Sequence, residues 1–196
     1  MYDRLTSEEK KLIRVASERP ELKTKIAKYL KKSAKETVVV FLEVVLSESE
    51  KNKLTSLVAR QEDTPSNWAG WEIISHHMTV EFFGNKGRAS SIPQKYVDMI
   101  GEDVVLKVKG IAVDDKAVAV LIEPPRSIKS LVKNEFPHIT VAVNGVKPFY
   151  SNKLLEKASD NGTLITENIS FTLNAKVGFY DGRSREDRFE IPHELF

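Results

Sequence analysis

Apolar residues change their spacing along this chain near residue 37, and the change divides the sequence in two. Before it, Leu12, Ile13, Val15 and Ala16 form a stripe at helical spacing. Thr6-Ser7-Glu8-Glu9 opens that stripe as a capping box, with Thr6 at N-cap and Glu9 at N3. Pro20 ends this helix and suits the first turn of a second, on which Leu22, Ile26, Tyr29 and Leu30 recur. The pattern predicts a helical extension over residues 1–35 and a separate domain over 36–196. Lys23, Lys25, Lys28, Lys31, Lys32 and Lys35 crowd the second helix. The expected reading is a solvated face on a packed appendage, with an RNA-contacting arm as the alternative.

From Thr37 to Leu46 the residues are β-branched or apolar nearly throughout, the pattern of a strand buried on both faces. Ser47 to Gln61 predicts a helix, with Leu54, Leu57 and Val58 on one side. A loop carrying Pro65 and Asn67 leads past Trp68 and Trp71 to a strand over Ile73 to Phe83. The polar stretch Gly84 to Pro93, with Lys86, Gly87 and Arg88, is a turn or a phosphate-holding loop. A short helix over Gln94 to Ile100 precedes a hairpin, Val104 to Val113 and Ala117 to Ile122, turning at Asp114-Asp115. Then come a short helix (Ser127 to Lys133), a strand (Phe136 to Val143), a helix (Pro148 to Ala158) and a long strand (Ile169 to Tyr180). Six or seven strands with three or four short helices and no βαβ regularity define an α+β domain with mostly antiparallel sheet.

Composition narrows the chemistry. The 196 residues carry 30 basic and 28 acidic side chains, a net charge of +2 that neither demands nor excludes a nucleic acid partner. Cysteine is absent, which removes disulfides, thiolate zinc sites and thiol nucleophiles. No apolar run approaches the ~20 residues that span a bilayer, and the N-terminus has no signal-peptide core. A soluble cytoplasmic protein is the expectation.

One phrase occurs twice: His77-Met78-Thr79-Val80 and His138-Ile139-Thr140-Val141. Each sits in a predicted strand, so His77 and Thr79 share one face while Met78 and Val80 take the other, and the second phrase repeats the arrangement. Two imidazoles on a cleft can take one proton and give another in a single turnover. Threonine hydroxyls can donate to phosphate oxygens as charge builds. The metal-free reaction that needs all of this is phosphodiester cleavage, above all of a strained 2′,3′-cyclic phosphate. By alternation His76 points away from His77 and is structural, and no zinc site is expected from these histidines. Lys147 is a phosphate contact or a solvated turn residue. Tyr180 is a base-stacking or packing residue, and Phe179 a core residue. Trp68, Trp71 and Phe83 are core residues before they are a base platform.

These phrases resemble the paired signatures of the two-histidine (2H) phosphoesterase superfamily. Lys133-Asn134-Glu135-Phe136-Pro137-His138-Ile139-Thr140-Val141, followed by Gly145-Val146-Lys147-Pro148, is similar to the cyclic phosphodiesterase domain of plant and fungal tRNA ligases. The resemblance covers roughly residues 37–180. It implies a bilobed α+β fold around a central cleft, His77 and His138 as the acid/base pair, and Thr79 and Thr140 as phosphate donors. It further implies metal-independent opening of a cyclic phosphate on RNA or a nucleotide to a 2′-phosphate, in RNA repair. A monomer with no cofactor and no membrane partner is the expectation. Cleavage of cyclic oligonucleotide signals and a non-catalytic RNA-binding module are the alternatives.

Overall fold

A computed structural model describes residues 39–65, 67–84, 92–166 and 169–181. The predicted N-terminal helices, the loop residues Lys86 to Arg88, and the tail with Arg183, Arg185, Arg188 and His193 lie outside the described residues. In chain order the elements are β1 (Phe41–Leu46), α1 (Glu48–Val58), β2 (Glu72–Ile73), β3 (His77–Phe82), α2 (Gln94–Val97), β4 (Asp103–Val113), β5 (Ala117–Glu123), α3 (Arg126–Lys129), β6 (His138–Val143), α4 (Tyr150–Asp160) and β7 (Thr172–Tyr180).

Every strand pairing is antiparallel. The order β2-β6-β3-β1-β7-β4-β5 returns on itself because β5 also pairs with β6. The fold is therefore α+β, with an antiparallel sheet closed into a barrel and few helices among the described residues. Strand pairing runs without a break from β1 through β3 to β6, so both histidine phrases belong to one continuous sheet.

Alternation shows how the sequence builds this sheet. Val104, Leu106 and Val108 of β4 are buried, while Asp103, Val105, Lys107 and Lys109 are exposed. Further along, Gly110, Ile111 and Ala112 are all buried, because α4 covers the second face. There Leu154, Leu155 and Ala158 pack on Ala112, Ala117 and Ala119, whose small side chains admit the helix closely. On the other side of the molecule Leu54 and Val58 of α1 join the main core. Ser47 caps α1 by accepting the Glu50 N–H at 3.3 Å. Glu50 is itself buried, and its carboxylate is compensated by Lys53 Nζ at 2.6 Å and the Asn174 N–H at 3.2 Å, which ties α1 to β7.

The first histidine run is not the single strand expected from Ile73 to Phe83. It breaks into β2 and β3 at Ser75, whose backbone is left-handed (φ 43°). The Ser75 N–H donates to Thr140 O at 2.9 Å and its hydroxyl to Val141 O at 3.1 Å. Both pieces still lie along β6, but Ile73 to Met78 is longer than the stretch Ile139 to Ala142 that it faces, so the excess bulges out. Other elements are shorter than expected at their ends. The helix expected to reach Lys133 stops at Lys129, because the Lys133 N–H leaves to donate to Val80 O at 2.9 Å.

Candidate active site

Met78 of β3 and Ile139 of β6 are register partners, and both are fully buried in the main core. Their neighbours project from the opposite face: His77 and Thr79 from β3, His138 and Thr140 from β6. With Met78 and Ile139 paired, the polar residues that flank each of them lie on neighbouring strands around that pair. The fold thus brings the four predicted residues together on adjacent strands.

The strand on the far side of β3 extends this face. Val45 of β1 is opposite His77, and Glu43 is opposite Thr79. Phe41 stacks on the His77 ring, with centroids 5.0 Å apart and planes at 19°. Tyr180 lies 5.0 Å beyond Phe41, so it is the second ring out from His77. Glu43 is fully buried, and its Oε2 lies 3.7 Å from His77 Nδ1. The Tyr96 hydroxyl reaches the Glu43 and Gly178 carbonyl oxygens, each at 2.8 Å.

Sequence reading passed over Glu43 within the apolar run that forms β1. A signal was present: a single carboxylate between Leu42 and Val44, in a strand buried on both faces, needs compensation. His76 also departs from expectation. Its ring is 4.3 Å from that of His77, rather than on the opposite face, and its Nδ1 lies 3.0 Å from Ile74 O. Strand alternation starts only at His77, and the left-handed turn at Ser75 places His76 in the bend before it.

His138 is held differently. Its Nδ1 is 2.7 Å from Phe136 O, an acceptor only, so Nδ1 carries the proton and Nε2 is left as the lone-pair nitrogen. Asn134 Oδ1 accepts the Phe136 N–H at 3.1 Å and fixes that carbonyl. Burial lowers the His138 pKa, partly offset by the Phe136 carbonyl. Thr140 is buried, with its hydroxyl 2.9 Å from Ser151 Oγ and 3.3 Å from Pro148 O. These bonds turn it toward α4. Thr79 is half-buried.

Lys147 is exposed in the turn after β6, one residue before the Pro148 carbonyl that approaches Thr140. Phe179 is in the main core. Trp68 and Trp71 meet edge to face at 5.6 Å and, with Phe83, pack against that core. Phe82, which sequence reading did not single out, is 70% exposed and is the register partner of Phe41. Among the described residues no group of three or more His, Asp or Glu side chains is placed to hold a metal ion. No helix among them is long and apolar enough to cross a membrane.

Paired His-x-Thr strands agree with the resemblance to the two-histidine phosphoesterases. The chain belongs to the family of fungal tRNA ligase phosphodiesterase domains, whose pattern it matches over residues 12–182. Among solved structures it is similar to a fungal RNA kinase, with a TM-score of 0.48 and 14% identity over 72% of this chain and 45% of that one. The chain therefore spans less than half of that protein's length. No curated protein matches it by sequence. The family match agrees with the resemblance carried by Lys133 to Pro148.

Proposed function

We propose that this protein is a metal-independent phosphodiesterase that opens a 2′,3′-cyclic phosphate at an RNA end or on a nucleotide, leaving a 2′-phosphate, in RNA repair or processing. The observation that carries the reading is the convergence of His77, Thr79, His138 and Thr140 on one face of two paired strands. The cyclic phosphate binds over this face, in a cleft between the two halves of the domain that hold the histidine phrases. One imidazole takes a proton from water as the water oxygen bonds to phosphorus. The other gives a proton to O3′ as the P–O3′ bond breaks. Thr79 donates to a non-bridging oxygen, and Thr140 does so by rotating away from Ser151 and Pro148. Lys147 adds positive charge at the Thr140 side, and Tyr180 stacks on a base at the Phe41 side. Family membership supports the phosphodiester chemistry.

The test is hydrolysis of a nucleoside 2′,3′-cyclic phosphate and of a cyclic-phosphate-ended RNA in EDTA. His77→Ala and His138→Ala should each lower kcat by at least ~100-fold, the contribution usual for a positioned acid or base. Activity retained in both variants overturns the reading.

A further inference from the structure

The buried carboxylate of Glu43 is not among the groups that exchange protons with substrate in the proposed reaction. Glu43 is fully buried in β1 between Leu42 and Val44, where a carboxylate is held by the groups around it. Its side chain is directed at His77: Oε2 lies 3.7 Å from Nδ1. That is an ion-pair distance and longer than a hydrogen bond, and such contacts tighten when substrate arrives. Two features make the placement specific. Phe41 lies nearly parallel to the His77 ring and restricts its tilt. Tyr96 fixes the Glu43 backbone through its carbonyl. The two Nδ1 atoms thus meet unlike groups, the Glu43 carboxylate at 3.7 Å for His77 and the Phe136 carbonyl at 2.7 Å for His138.

We propose that Glu43 is the positioning residue of His77. Its carboxylate holds Nδ1–H, turns Nε2 toward the substrate and stabilises the ring when both nitrogens are protonated. This rests on the phosphodiesterase reading and assigns its roles. His77 gives its Nε2 proton to O3′ as the P–O3′ bond breaks, and His138 Nε2 accepts the proton of the attacking water as the new P–O bond forms. Two groups among the described residues that face His77 agree with this division. Glu43 faces it from β1 and His76 from the bend before β3, while Lys176 of β7 is turned to Asp103 and Gly101 O.

The experiment pairs kinetics with histidine-selective 15N NMR on the full chain. In the wild type, the His77 ring should show a protonated Nδ1. Glu43→Gln, which keeps the size and removes the charge, should move the His77 nitrogen resonances and leave those of His138 in place. The same variant should lower kcat on a cyclic phosphate by ~30-fold or more with KM within about twofold, and Glu43→Asp should restore part of the loss. A wild-type His77 protonated only at Nε2, or a folded Glu43→Gln chain with unchanged kcat, overturns the proposal. If the wild type hydrolyses no cyclic phosphate, the phosphodiesterase reading fails. The nitrogen resonances then still decide whether Glu43 holds Nδ1–H, and the wild-type spectrum decides it even where the Gln variant does not fold.

Discussion

Tyr96→Phe removes one oxygen from beneath the site and leaves everything else in place. Tyr96 is fully buried, and its hydroxyl lies 2.8 Å from each of the Glu43 and Gly178 carbonyl oxygens, which belong to a register pair across β1 and β7. Burial, with the charge of Glu43 adding to it, pushes the phenol pKa far up, so the hydroxyl stays a donor across the working pH range. One phenolic proton serves one carbonyl at a time or is shared between both. A buried acceptor stripped of its partner costs about 1–3 kcal/mol, and a carbonyl that keeps a ladder bond falls at the low end of that range. The expected loss is therefore about 1–2 kcal/mol. At roughly 2–4 °C per kcal/mol for a chain of this size, Tm should fall by about 2–8 °C. Thermal melts and urea titrations of the wild type and the Phe variant measure this directly. A Tm within about 1 °C of wild type would refute the reasoning, because it would mean that the two carbonyls do not depend on the hydroxyl.

Further outcomes follow from other residues. Because burial holds the His138 pKa below the ordinary imidazole value, its contribution to stability is full above the unfolded value of ~6.5. It is lost as pH falls below that value toward the folded one. Denaturation at about pH 7.5 and about pH 5.5 should show the wild type losing more stability than His138→Asn, and equal losses would count against it. Ser151→Ala removes the partner of Thr140 and should cost about 1 kcal/mol while hydrolysis continues. Thr140→Val should instead lower kcat, and the two variants are compared by melts and steady-state rates. A Cβ on Gly110 would lie 2.8 Å from Leu164 Cγ, so Gly110→Ala should destabilise by about 1–3 kcal/mol. A double-mutant cycle with Leu164→Ala should show a combined cost below the sum of the single costs.

What was legible in the sequence was what neighbours in the chain decide. The β4–β5 hairpin turns where Asp114-Asp115 stand, because Asp114 Oδ1 accepts the Lys116 and Ala117 N–H groups at 2.9 and 2.8 Å. Helix α1 begins at its serine cap. The face shared by each histidine and threonine follows from a period of two, and Met78, Val80, Ile139 and Val141 are buried as that period requires. Distant partners decided the rest. Ser75 adopts its left-handed turn with bonds to Thr140 and Val141 of β6, and no local pattern announces them. That turn changed the direction of His76. The hydroxyl of Thr140 is taken up by Ser151 of α4, eleven residues further along the chain. Glu43 was hidden because a strand was judged by its apolar majority, when the one residue against the pattern was the informative one.

Closure of the sheet also has a dynamic consequence. Enzymes built from two bodies joined by a hinge can part their catalytic groups to admit substrate and bring them together to react. Here β3 and β6 are paired to each other, and the ring continues from each of them around to β4 and β5. Parting His77 from His138 would require breaking sheet hydrogen bonds. Strand pairing thus fixes the spacing of the two histidines, and on the proposed reading turnover should leave it unchanged. Backbone amides of β3 and β6 should show flat relaxation-dispersion profiles with and without ligand, so that any gating of entry and release is left to the connections around the sheet.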